Sequence, residues 1–177
     1  MKTFKKALIV LVLFLVILGV IGLFLPSVWS VQRSITVNAP ASKVFPYINN
    51  FKTGWPQWSA FDSMGGAVYT YSGPEEGIGA SRSWVSKQGD GQQTMTKSDE
   101  NTGIEYEIAM ANGVNITGTL ALSSEGDTTT ITFTDMGNNG GNIVHKYLSL
   151  VIQKMIGKTM DTSLQNLKQL AEAPTPE

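Results

Sequence analysis

The sequence predicts an α+β fold: a run of antiparallel strands closed by one long C-terminal helix, behind a single N-terminal transmembrane helix. Three observations carry this prediction. Ala7 to Leu25 reads ALIVLVLFLVILGVIGLFL, without one charged side chain. From Val31 to Met136 short alternating segments are separated by Gly-rich turns, the pattern of antiparallel strands. From Ile143 to Ala171 apolar residues recur at helical spacing.

The first element is the apolar segment. At about 1.5 Å rise per residue it is long enough for a hydrocarbon core of roughly 30 Å. Lys2, Lys5 and Lys6 precede it, and Arg33 is the nearest basic residue after it. The positive-inside tendency then puts the short N-terminus in the cytoplasm and the soluble domain outside, periplasmic in a Gram-negative cell. A cleaved signal peptide, with VWS (28–30) as its cleavage site, is the competing reading. Signal-peptide apolar regions usually run about 7–15 residues, shorter than this one. Trp29, just past the span, suits a ring held at headgroup level. The organisation expected is an anchor over 1–30, a soluble domain over 31–172 and a frayed tail over 173–177.

VQRSITV (31–37) opens the domain as a strand, and NAPASKVFPYINN (38–50) follows as a short helix opened by Pro40. Proline is tolerated in a first turn because its missing N–H has no partner there. Ser42 is a competing N-cap that would keep Pro46 in the first turn. Val44, Phe45 and Ile48 give this helix an apolar face. Gly54 and Pro56 break up a second helix in the tryptophan stretch GWPQWSAF. Strands are then predicted at 67–73, 80–87, 92–98, 104–111, 114–123 and 128–136. IEYEIAM alternates cleanly, with Ile104, Tyr106, Ile108 and Met110 on one face and Glu105 and Glu107 on the other. Asn112-Gly113 is a hairpin signal because both positions accept positive φ. Gly118 marks a bend or a close approach within its strand. On the long helix, Val144, Leu148, Val151 and Met155 form one apolar line. Ile156, Met160, Leu167 and Leu170 form a second, rotated line, with Gly157 at the changeover. The two lines imply either a wide buried face or a bend.

Composition narrows the function. The chain has 177 residues and a formal net charge of -1, without the basic surplus of a nucleic-acid-binding domain. It contains no cysteine, which excludes disulfides, thiolate nucleophiles and iron–sulfur clusters. A single histidine, His145, cannot anchor a histidine-rich metal site, and no cofactor or metal is expected. The glycine pair in EEGIGA is followed by a strand, so it is a turn and not a phosphate-binding loop.

Several stretches together resemble the SRPBCC superfamily, also called START-like or helix-grip, in its polyketide cyclase/dehydrase-like branch with membrane-anchored members. They are RSITVNAPASKVFPYINNF (33–51), WPQWSAF (55–61), YSGPEEGIGASRSW (71–84) and KMIGKTMDTSLQNLKQLAE (154–172). The resemblance covers about 31–172. It implies a seven-stranded antiparallel sheet curled around the long helix, with a cavity between them. Members of that superfamily bind lipids, sterols, polyketides or plant hormones, and a minority do chemistry in the cavity. The partners expected are therefore a hydrophobic small molecule or lipid, and the membrane through the N-terminal helix.

Candidate ligand-binding residues come from the apolar face of the sheet and the helix stripe: Trp84, Met95, Tyr106, Ile108, Phe133, Leu148, Val151 and Met155, each with core packing as its alternative. Arg82 shares strand parity with Trp84 and supplies an orienting polar group, unless it snorkels to solvent. Trp58, beside Trp55, is either a plug at one end of the core or a lid on the cavity. Acid–base chemistry would fall to Asp135, His145 or Tyr106. Asp135 shares parity with Ile131 and Phe133 but sits near a strand end, and His145 in the helix's first turn is expected at the surface. Nothing resembling a nucleophile elbow supports a Ser–His–Asp triad. Three readings follow: a membrane-anchored extracytoplasmic binding module, a cyclase/dehydratase-like enzyme, and a cell-envelope interaction or stress module with no ligand.

Overall fold

The computed structural model describes residues 2–63, 66–87 and 89–174. Helix α1 (Lys2–Phe24) is long and apolar enough to cross a membrane, and its side chains are largely exposed. Strand β1 (Val28–Val37) begins almost at once, three residues earlier than its alternation suggested. Trp29 therefore belongs to the sheet. Its ring is buried against Gly137 of the facing strand instead of standing at a membrane interface.

Helix α2 (Ala41–Asn49) has Pro40 as its N-cap. Ser42 lies inside the helix, so Pro46 falls in the second turn, where this short helix tolerates it. A single 3₁₀ turn, Trp55–Gln57, takes the place of the broken second helix. The strands β2 (Val68–Ser72), β3 (Ser81–Val85), β4 (Gly91–Asp99), β5 (Gly103–Met110), β6 (Asn115–Glu125) and β7 (Thr128–Asn138) follow. With β1 they form one antiparallel sheet in the order β1-β7-β6-β5-β4-β3-β2. The chain meanders from β2 to β7, and β1 closes on β7. A register shift between Met95 and Lys97 marks a bulge in β4, which adds twist to the sheet. The β5–β6 connection is longer than a two-residue hairpin, and only Gly113 of the Asn-Gly pair takes a positive φ.

Helix α3 (Ile143–Glu172) is continuous and packs mainly on β1. Gly157 is buried where Arg33 of β1 crosses the helix, and a Cβ there would collide with the guanidinium. The two apolar lines of α3 serve different surfaces. Met160, Leu164 and Leu167 enter the core, with Ile156 and Leu170 packed at its margin. Val144, Leu148, Val151 and Met155 are exposed instead, so the helix has no single wide buried face. The tail expected over 173–177 lies outside the described residues from 175 onwards.

Both tryptophans of the GWPQWSAF stretch are buried. Trp55 Nε1 donates to the Ile48 carbonyl and Trp58 Nε1 to the Tyr47 carbonyl, at 2.7 and 3.0 Å. Their polar edges are thus tied to α2. Their faces join Phe51, Tyr106 and Phe133 in one aromatic cluster.

Candidate functional site

Between the concave face of the sheet and α3 lies a cavity of about 430 Å³, within the usual range for small-molecule sites. Strand alternation builds its sheet-side wall: Tyr106, Ile108 and Met110 from β5, Ile116 from β6, Phe133 and Asp135 from β7. Arg82 and Trp84 come from β3, Gln93 from β4, and Trp29 from β1. Trp55 and Phe61 also line it. His145, Leu148, Ser149, Ile152, Met155 and Ile156 of α3 form the opposite wall.

Two polar groupings interrupt this apolar lining. The first crosses three strands. Tyr106 on β5 and Asp135 on β7 are both register partners of Gly118 on β6. Because Gly118 has no side chain, the Tyr106 ring lies over β6, and a Cβ there would meet it. The Tyr106 hydroxyl thereby reaches Asp135 and donates to Oδ1 at 2.6 Å. Burial pushes the Asp135 carboxyl up to about 6, against the opposing effect of the Tyr106 hydrogen bond. Burial, and then the nearby Asp135 charge, raise the Tyr106 phenol well above its ordinary value.

The second grouping surrounds Arg82, which is 4% exposed. Its Nη1 pairs with Asp62 Oδ2 at 2.7 Å and its Nε donates to Gln93 Oε1 at 2.8 Å. Its guanidinium carbon stands 4.6 Å from the Trp55 ring centre, 4.9 Å from Tyr69 and 5.2 Å from Phe51. Burial, and then Asp62, raise the Tyr69 phenol. Arg82 is therefore not a snorkelling surface residue. Its charge is paired and its faces are stacked, which together offset the desolvation.

That pairing has a consequence for Gln93, 1% exposed. Because Arg82 occupies its oxygen, the amide nitrogen is turned the other way, and Nε2 is buried without a hydrogen-bond partner. Among the described residues one other buried side-chain atom shares that condition, Nδ2 of Asn139. Both residues line the cavity. A buried amide donor without a partner costs about 1–3 kcal/mol, and each of these two can donate to an acceptor atom placed in the cavity.

Of the residues singled out in the sequence, Arg82, Trp84, Tyr106, Ile108, Phe133, Leu148, Met155, Asp135 and His145 face the cavity. Three do not. Trp58 is 1% exposed and sits behind Trp55 and Phe133, so it plugs the core. Met95 is fully buried in the core. Val151 is 71% exposed, because its position on α3 turns away from the sheet. His145 is half-buried at the cavity wall rather than on an open surface, and its backbone N–H donates to the Asn142 side chain. It makes no hydrogen bond to Asp135. Sequence reasoning missed Gln93, although it shares parity with Met95. It also missed Asp62, which no local pattern betrays. Among the described residues no three His, Cys, Asp or Glu side chains cluster as metal donors.

Residues 28–172 match the family model described as polyketide cyclase / dehydrase and lipid transport. The chain belongs to that family. Solved structures show the same fold at low identity. One is the KanY protein, at 16% identity with a TM-score of 0.64, covering 82% of this chain and 98% of that one. A hypothetical protein of Helicobacter pylori follows at 7% identity and a TM-score of 0.63, covering 81% and 88%. The di-domain ARO/CYC BexL, from the BE-7585A biosynthetic pathway, aligns at 13% identity and a TM-score of 0.61. That match covers 84% of this chain and 52% of BexL. Among curated protein sequences none matches the chain. Likenesses at these identities concern the fold alone.

Proposed function

We propose that this member of the polyketide cyclase/dehydrase and lipid transport family is a membrane-anchored, extracytoplasmic module that holds an apolar small molecule or lipid between sheet and helix. The observation that carries the reading is an apolar-walled cavity of about 430 Å³ with the unpartnered Gln93 amide at its wall. The bound molecule then has a long apolar body and an acceptor oxygen near Gln93 and the Arg82 charge. The apolar span of α1 from Ala7 onward, preceded in the same helix by Lys2, Lys5 and Lys6 without matching basic residues close behind it, supports the anchoring and its orientation.

Native mass spectrometry of the full chain extracted in detergent tests this. A co-purifying apolar molecule with a carbonyl or carboxylate is expected. Dodecanoate should also quench or shift the fluorescence of Trp29, Trp55 and Trp84, and dodecane should bind less tightly. Gln93→Leu should weaken dodecanoate by the worth of one hydrogen bond, about 0.5–1.5 kcal/mol, or roughly two- to tenfold. No adduct, together with no response to either probe, would sink the reading.

One observation favours a second reading. Asp135 and Tyr106 both face the cavity, and a carboxyl brought to about 6 is tuned for proton transfer near neutrality. That supports a cyclase- or dehydratase-like step on a bound carbonyl compound. Equal turnover in Asp135→Asn and Tyr106→Phe, once a substrate is found, would remove both residues from such a role.

A further inference from the structure

The first four turns of α3 carry an exposed apolar surface that the cavity explains only in part, because Leu148, Ile152 and Met155 line it whereas Val144, Leu150 and Val151 do not. Val144, Leu148, Leu150, Val151, Ile152 and Met155 are all exposed, Val144 at 64% and Val151 at 71%. Scattered apolar residues at a surface are ordinary, but this set occupies consecutive turns of one helix. Spacings of four, three and four place Val144, Leu148, Val151 and Met155 on one face.

What lies on either side of that face identifies its occupant. On one side are Ile143 and Tyr147, which touch α1. Gly22 packs against both, and the Tyr147 hydroxyl donates to the Leu18 carbonyl at 2.8 Å. On the other side are Ile152 and the cavity-lining edges of Leu148 and Met155. At roughly 100° per residue the exposed stripe fills the arc between these two sides. Leu18 stands six residues before the end of α1, about 9 Å along its axis. Whatever surrounds that part of α1 therefore surrounds the first turns of α3. Lys154 and Lys158 are exposed beside the stripe, where long cationic side chains reach phosphate headgroups.

We infer that this face of α3 is seated in the same bilayer that α1 crosses, so that the mouth of the cavity opens at the lipid surface. The apolar stripe is then the path between membrane and cavity, and a ligand moves between them without crossing water. The inference rests on the membrane-anchored reading of α1 and adds the surface through which the cavity is loaded.

The chain contains no cysteine, so single cysteines carry spin labels without a background. Labels at Val144, Leu148, Val151 and Met155, one at Leu13 in α1 and one at Gln165 on the far part of α3 are placed in the full chain. The chain is reconstituted in vesicles of phosphatidylcholine and phosphatidylglycerol. Collision with oxygen relative to a water-soluble nickel chelate should be at least threefold higher at the four stripe sites than at Gln165, approaching the value at Leu13. Stripe sites that match Gln165 while Leu13 favours oxygen overturn the inference and leave the anchor standing. Stripe sites shielded from both reagents overturn it in favour of a second copy of the chain. A water-accessible Leu13 overturns the anchor and the inference together.

Discussion

Asp135→Asn isolates the energetic consequence of placing a carboxyl in the cavity wall. The side chain is buried and accepts one hydrogen bond, from Tyr106. In the folded chain its carboxyl is brought from an ordinary 3.8 to about 6. At 1.36 kcal/mol per unit, the rise of about two units makes the ionised form about 3 kcal/mol costlier folded than unfolded. The sign follows from proton counts. Between about pH 4 and pH 6 the native state holds a proton that the unfolded chain has released, so stability falls as pH rises through this window. Above about pH 6 the penalty is complete; below about pH 4 it is absent. The amide introduced by the substitution would keep an acceptor for Tyr106 and remove the charge. Asp99 and Glu172, whose carboxyls are lowered by backbone hydrogen bonds, impose opposite slopes that both proteins share and that cancel in the difference. Urea unfolding of the full chain in detergent micelles, followed by tryptophan fluorescence from pH 4 to pH 8, measures that difference. The variant should gain up to about 3 kcal/mol on wild type across the window. Parallel curves would refute the reasoning, because they would mean that Asp135 titrates near its ordinary value and is hydrated.

Three further outcomes follow from the packing. Trp58→Ala removes a plug that makes no cavity wall, so it should lower stability by about 3–5 kcal/mol without changing the affinity for dodecanoate; unchanged stability with faster ligand loss would make Trp58 a lid instead. Arg82→Met leaves Asp62 buried and unpaired, a loss of about 3–5 kcal/mol, and pairing it with Asp62→Leu should recover much of that loss in a double-mutant cycle; strictly additive losses would show that the two charges do not interact. Gly118→Ala forces the Tyr106 ring off β6 and breaks its bond to Asp135, so unfolding free energy should drop by more than about 1 kcal/mol; a neutral effect would place the Tyr106 ring elsewhere.

The elements were legible in the sequence because each depends on local patterns. Gly103–Met110 alternates with period two, Ile143–Glu172 repeats at helical spacing, and glycines punctuate the turns between strands. Parity made the shared face of Arg82 and Trp84 legible. For Asp135 parity pointed inward while its place near a strand end pointed to exposure, and the register across Gly118 to Tyr106 decided for burial. The burial of Arg82 was not legible, because the groups that permit it arrive from elsewhere in the chain: Asp62 from a loop, Gln93 from the next strand, and Trp55 from the 3₁₀ turn. The same holds for Trp29. Its sequence position beside the apolar span suggested a membrane interface, whereas pairing with Gly137, far along the chain, drew it into the sheet.

By itself the sequence determined the apolar N-terminal helix, the antiparallel strands with their inner faces, the long closing helix and the family. These follow from periodicity and composition, which are properties of neighbouring residues. Only the tertiary structure decided which side chains line the cavity, that Trp58 fills the core while Trp55 lines the cavity, and that Gln93 is left with an unsatisfied donor. It also decided that the exposed stripe of α3 lies between the residues that touch α1 and those that line the cavity. Each of these depends on which distant residue stands opposite, and sheet register and helix contacts set that only when the chain has closed.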